Sequence, residues 1–326
     1  MCTVEHRPLG RNGPEVSVLG YGAWGIGQSM WIGAQDDVSL RSLARAFEQG
    51  VDFVDTAYGY GDGHSEELVG QAVRAAGGGI RIATKIPPAN RQWPARAGVH
   101  AEETFPAEHI ISCTERSLRK LGVETIDVQQ FHVWSDEWVD QGSWREGIER
   151  LKADGKIGCF GISINDHEAD NGIALVQSGA VDSVQVIYNI FDQAPADRLF
   201  AATQEAGVGV IARVPFDEGG LTGLIRPETE FPEGDWRNRY FAGDRKREVW
   251  ERVQAIASDL DVEVDQIPEI ALRFCLSHAS VSTVIPGMRS LNSVNANAAA
   301  AERGPLDERE LAVLARHRWQ RDFYPR

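Results

Sequence analysis

Short apolar runs alternate with longer amphipathic ones along almost the whole chain. The runs at 16–23, 51–57, 80–85, 126–133, 159–164, 183–188, 209–214 and 281–285 are bounded by glycine or polar turns, which predicts strands. Between them, apolar residues recur at helical spacing. Leu40, Leu43, Ala44 and Phe47 mark a helix over 37–49 that Gly50 stops. Ile111, Leu118 and Leu121 stripe another over 106–121, which Pro106 opens. Ser65, followed by Glu66 and Glu67, reads as the cap of a helix over 65–74. Further helices are predicted over 144–153, 166–177, 195–206, 244–260, 268–277 and 290–301, with a last one over 307–319.

Strand and helix thus alternate eight times, and the strands are close to continuously apolar, the mark of a parallel sheet covered by helices. Eight repeats in 326 residues predict an α/β fold, a (β/α)8 TIM barrel forming one domain over 1–326. Long loops at about 86–105 and 215–243 would lie at its C-terminal face, and the last helix would be extra. An open doubly wound sheet is the alternative. Its dinucleotide fingerprint should lead straight into a helix, whereas Gly20-Tyr-Gly-Ala-Trp-Gly25 is followed by more loop.

Composition narrows the functional classes. With 42% hydrophobic and 25% charged residues the chain can build a sizeable core. A net charge of −15 argues against nucleic acid, which needs a basic face. The cysteines at 2, 113, 159 and 275 form no close pair, so neither a metal site nor a redox motif is indicated. Residues 1–13 lack the apolar core of a signal peptide, and no run approaches the ~18 apolar residues of a membrane helix. A cytoplasmic protein with reduced thiols is expected. No heptad or interface patch points to an oligomeric partner.

Chemistry gathers at the strand ends. Asp55 closes the apolar run at 51–57, where a buried carboxylate needs a cation or several donors. Tyr60 follows between two glycines, Lys85 ends the next run, and His132 lies near the end of the one after. In a barrel these four map to the C-terminal ends of adjacent strands, where active sites of that fold lie. An acid, a phenol, an amine and an imidazole make a proton-handling set.

In their order and spacing these residues resemble the aldo-keto reductase family. The matching pattern is Asp55-Thr-Ala-Xaa-Xaa-Tyr60-Gly, then Ser65-Glu66, Gly70, Lys85 and His132. Gly155-Lys-Ile with Gly161-Ile-Ser163, Gln185, Leu221-Thr-Gly223, Ile285-Pro-Gly287 and Asn297 follow in order. The Ala23-Trp24 and Met30-Trp31 pairs look like those of the soluble bacterial branch. The resemblance implies an NADP-dependent oxidoreductase that moves a hydride between the nicotinamide and an aldehyde, ketone or keto-sugar. Tyr60 would be the general acid, Lys85 would lower its pKa, Asp55 would hold Lys85, and His132 would orient the carbonyl.

The same resemblance implies the coenzyme contacts. Ser163 and Gln185 would hold the nicotinamide carboxamide, and Gly22, Trp24 and Asp55 would border it. The loop carrying Pro215, Phe216, Gly219 and Leu221 would cover the pyrophosphate. Gly287, Met288 and Arg289 precede a helix start suited to phosphate, with Arg289 placed for the 2′-phosphate of NADP(H) and Asn297 for the adenine. Two positions depart from the family pattern. Ser163-Ile-Asn165 separates a usual Ser-Asn pair, so that either Asn165 reaches in from a bulged backbone or the contact is lost. Arg213 stands where an aromatic residue commonly stacks on nicotinamide, a role a guanidinium can also take. Trp24, Trp31, Trp93 and Trp134, with Trp138, fall in the predicted mouth loops and suggest an aromatic-walled substrate pocket. The competing readings are a nucleotide-binding, redox-sensing subunit with little turnover, and a barrel lyase or isomerase that uses no nicotinamide.

Overall fold

The computed structural model describes residues 4–324. Cys2 therefore lies outside the described residues. An antiparallel hairpin comes first, β1 (His6–Pro8) with β2 (Glu15–Ser17). The main sheet follows: β3 (Tyr21–Gly22), β4 (Phe53–Asp55), β5 (Arg81–Ile86), β6 (Ile126–Phe131), β7 (Ile157–Ser163), β8 (Ser183–Ile187), β9 (Gly209–Arg213) and β10 (Val281–Val284). These eight strands pair in parallel in chain order. Parallel bridges from Leu19 to Val284 and from Gly22 to Gly287 join the first to the last, so the sheet closes into a barrel.

Alternation along the strands sorts the barrel into layers. Phe53, Ala83, Val128, Cys159, Ile211 and Ile285 form an apolar cluster together with Leu9 and Val16 from the hairpin, which plugs the barrel's base. One pleat further along the same strands stand Asp55, Lys85 and Gln130. Their neighbours Val54, Ile82 and Phe131 belong to the larger cluster that takes in the surrounding helices.

Helix positions follow the sequence closely at Asp36–Glu48, Ala107–Leu121, Trp144–Ala153, Arg245–Leu260 and Leu291–Glu302. Four expectations change. The strand expected over 16–23 is two elements, because Val16 turns into the plug while Tyr21–Gly22, after the bridge at Leu19, joins the barrel. The helix expected over 166–177 is Ile173–Ser178, since the side chains of Asn165, Glu168 and Asn171 bond within the preceding loop. The helix expected over 307–319 is Glu308–Ala315, started by a reciprocal Asp307–Glu310 cap. Ser65 is not a cap. Gly63 holds that position with φ 90°, and the Ser65 hydroxyl donates to the Ala23 carbonyl.

The seam explains one glycine. A Cβ on Gly22 would sit 2.6 Å from the Ile285 carbonyl oxygen. Gly22→Ala should therefore force the seam apart and lower stability by about 1–3 kcal/mol. Thermal denaturation checks this; an unchanged melting temperature would show that the seam is not tightly packed.

Candidate active site

Lys85 is almost fully buried and uses all three ammonium protons. It donates to Asp55 Oδ2 at 2.5 Å, to the Thr56 carbonyl at 2.8 Å and to Tyr60 Oη at 3.2 Å. Asp55 Oδ1 accepts from Gln185 Nε2 at 2.7 Å and Gln130 Nε2 at 3.1 Å. The carboxylate is thus saturated by a cation and two amides, as a buried charge requires. Tyr60 is carried by the turn after β4. The Trp24–Ile26 turn lies tightly on its backbone, where a Cβ at Gly27 would meet the Tyr60 carbonyl at 2.8 Å. The His132 ring lies edge-on to Tyr60 at 5.6 Å and to Trp93 at 4.3 Å, and its Nδ1 is buried without a partner.

Lys85 acts on Tyr60 in the expected direction, but it does not prevail. Burial raises the Tyr60 pKa above its ordinary value; Lys85 pulls it down and Asp55 pushes it back up, and burial prevails. Burial alone would discharge Lys85, but Asp55 and Tyr60 outweigh it and the ammonium is held more firmly than usual. His132 is pushed well below its ordinary value by burial, then by the Lys85 and Arg213 charges. At neutral pH the site holds a neutral phenol, an ammonium and a neutral imidazole.

Aromatic rings wall the cleft above. Trp24 lies 6.2 Å from Tyr60, 5.8 Å from Trp31 and 5.7 Å from Trp236, ring to ring. Tyr324, from the C-terminal tail, stacks on Trp236 at 5.3 Å. Trp93 is 46% exposed and lies over His132. Trp134 and Trp138 are not part of this wall. Both are wholly buried in a cluster with Phe131 and Trp144, between the barrel and its helices, because the chain after β6 turns outward.

The residues expected to meet a coenzyme divide in two. Ser163 ends β7 facing inward beside Gln185. A Cβ on Gly287 would find no atom within 4 Å, which leaves room for a group to lie against the backbone. Asn297 is buried with its Nδ2 unpartnered. The Arg289 side chain lies across Gly25 and beside Trp31, and its bond to the Ile32 carbonyl is long at 3.4 Å. An open backbone, an orphaned donor and a lightly held cation fit a phosphorylated adenine nucleotide. Pro215, Phe216 and Gly219 belong to or border the short helical turn Asp217–Thr222.

Others are buried or already hold partners within the protein. The Leu221 and Met288 side chains are fully buried in the core, so only their backbone can face a nucleotide. Asn165 is engaged by loops: its amide nitrogen donates to the Ala95 carbonyl at 3.2 Å and to Glu168 at 2.9 Å, and its oxygen accepts from the Ala95 N–H at 3.3 Å. Gln185 spends its amide protons on Asp55 and Gln130. Arg213 is paired with Asp166 at 2.7 Å.

Sequence reasoning missed Gln130, Asp166, Trp236 and Tyr324. Strand alternation could have found Gln130, which shares a face with Val128 and His132. The other three lie in loops or the tail and carried no local signal. Among the described residues no metal-ligating cluster occurs and no helix is long and apolar enough to cross a membrane.

Comparison with known proteins agrees with this geometry. The family model described as the aldo/keto reductase family matches residues 18–318. A solved aldo-keto reductase of Bacillus halodurans, in its holo form, superposes with a TM-score of 0.74 at 27% identity, covering 97% of this chain and 96% of that one. The NADH-specific methylglyoxal reductase of Escherichia coli is 26% identical, over 90% of this chain and 92% of its own. A probable voltage-gated potassium channel subunit beta of rice (Oryza sativa subsp. japonica) is 28% identical, with 93% of each covered. The chain belongs to the aldo/keto reductase family: it is an oxidoreductase that reduces carbonyl groups with a nicotinamide nucleotide.

Proposed function

We propose that this enzyme reduces a small aldehyde or ketone with NADPH, and that Tyr60 is the proton donor. The observation that carries the reading is the Asp55–Lys85–Tyr60 chain of hydrogen bonds, buried at the cleft floor beside a neutral His132. When bound, the coenzyme would supply a hydride to the carbonyl carbon. Tyr60 would give its proton to the carbonyl oxygen, and the Lys85 ammonium would stabilise the phenolate left behind until solvent returns the proton. His132, uncharged, would orient the substrate oxygen without competing for the proton. Trp24, Trp93, Trp236 and Tyr324 would exclude water and favour a substrate with a flat or apolar body.

NADP(H) is preferred to NAD(H) because Arg289, held only by a long bond to the Ile32 carbonyl and by the Trp31 ring, stands just before the helix Leu291–Glu302. The Escherichia coli relative is named for NADH, so family membership does not decide the point. A second reading, a nucleotide-binding subunit with little turnover, has support in the rice relative's name. The intact catalytic four favour the enzyme.

Tyr60→Phe should lower the reduction rate by roughly 10²–10⁴-fold while NADPH still quenches tryptophan fluorescence with near wild-type affinity. Undiminished turnover would remove Tyr60 as the acid. Arg289→Ala should weaken NADPH binding about tenfold or more and leave NADH binding nearly unchanged. Equal losses for both nucleotides would refute the assignment to the 2′-phosphate.

A further inference from the structure

We propose that Arg213 makes this site discriminate between the two redox states of its coenzyme, favouring the reduced ring by holding a fixed positive charge beside it. The inference rests on the coenzyme reading above. Arg213 is the last residue of β9 and is paired with Ile187 on β8. It faces inward with Ile211, at the mouth end of a floor that also carries Ser163 and Gln185.

Its side chain is mostly buried and pinned across the floor. Nη2 donates to the Ile164 carbonyl at 3.0 Å and to Asp166 Oδ1 at 2.7 Å. Nε is buried and has no partner. The guanidinium cannot lose its proton, and its charge reaches the groups that handle the carbonyl: on Tyr60 it pulls against the burial that raises the phenol, and on His132 it adds to the burial and the Lys85 charge that lower the imidazole.

Geometry then decides what shares that field. A substrate oxygen must be in hydrogen-bond reach of Tyr60, and hydride transfer needs the reacting carbons roughly 3–3.5 Å apart. The nicotinamide ring must therefore lie close to Tyr60, inside the field of Arg213. The dihydronicotinamide ring is neutral, whereas the oxidised ring carries one positive charge. Only the oxidised form is repelled. Lys85 adds to the same field, reduced by its pairing with Asp55 at 2.5 Å, so the share that belongs to Arg213 is read from substitutions of Arg213 alone. Asp166 offsets Arg213 in part, from the loop beyond the end of β7. Glu218 does not cancel the rest: burial pushes its carboxyl up to about 8, so it is mostly uncharged at neutral pH. The consequence is directional, since the oxidised coenzyme left after carbonyl reduction is held less tightly than the reduced one that enters.

Equilibrium titrations of tryptophan fluorescence with NADPH and NADP⁺ test this, with thermal melts run on every variant to verify folding. Wild type should bind NADPH more tightly. In Arg213→Met the ratio of the two dissociation constants should shrink about tenfold, the order expected for one partly screened charge at short range. Arg213→Lys should keep the ratio near wild type, and Asp166→Asn should widen it. A structural anchor alone would weaken both nucleotides equally in Arg213→Met; an unchanged ratio in that folded variant overturns the proposal. Failure of wild type to bind either nucleotide would instead overturn the coenzyme reading on which it stands.

Discussion

The buried ion pair between Lys85 and Asp55 is the constraint on which the rest of the site depends. An ammonium removed from water is tolerable only when its protons are all accepted, and an interior pair broken by loss of one partner costs about 3–5 kcal/mol. Here the Thr56 carbonyl and Tyr60 take the protons that Asp55 does not. Gln130 and Gln185 saturate the other carboxylate oxygen. Four strands, β4, β5, β6 and β8, thus send one side chain each to a single polar knot. Below it the barrel is filled by an apolar cluster that reaches the hairpin plug, interrupted by the buried hydroxyls of Ser183 and Thr283, so the knot has little room to relax. The arrangement that makes the pair affordable also fixes Tyr60 within reach of Lys85.

That knot accounts for the division of labour among the titratable groups. A phenol is a useful acid only if it is protonated before the reaction and stabilised after it. Burial keeps Tyr60 protonated, and the adjacent ammonium is ready for the phenolate once the proton has left. The same burial, with two cations nearby, keeps His132 uncharged. One physical cause, exclusion of water from the cleft floor, therefore acts in opposite senses on the acid and the imidazole. The aromatic wall of Trp24, Trp93, Trp236 and Tyr324 continues that exclusion toward the mouth.

The parts of this architecture that were legible in the sequence are those governed by short-range periodicity. Asp55, Lys85 and His132 stand out because a polar residue at the end of an apolar strand is locally anomalous, and parallel register brings such ends together. What was not legible depends on where loops go. Trp134 lies only three residues past β6, yet it turns outward into a core of rings while Trp93, from a distant loop, covers His132. Asn165 sits two residues past Ser163, but Glu168 and Ala95, from loops that strand spacing does not reach, take up its amide. The 16–23 run reads as one strand because nothing in hydrophobicity marks where a plug becomes a barrel wall. The net direction of the Tyr60 shift was not legible for a related reason: residue types announce the cation that pulls it down, but not the depth of burial that outweighs it.

The most direct test of the central claim is the pH dependence of kcat/KM for carbonyl reduction at saturating NADPH. A buried neutral phenol as proton donor predicts a profile flat from about pH 6 to about pH 9, with loss only near or above the ordinary tyrosine value of ~10. A fall centred near ~6.5, the ordinary histidine value, would mean that His132 titrates as the acid, and would contradict the account.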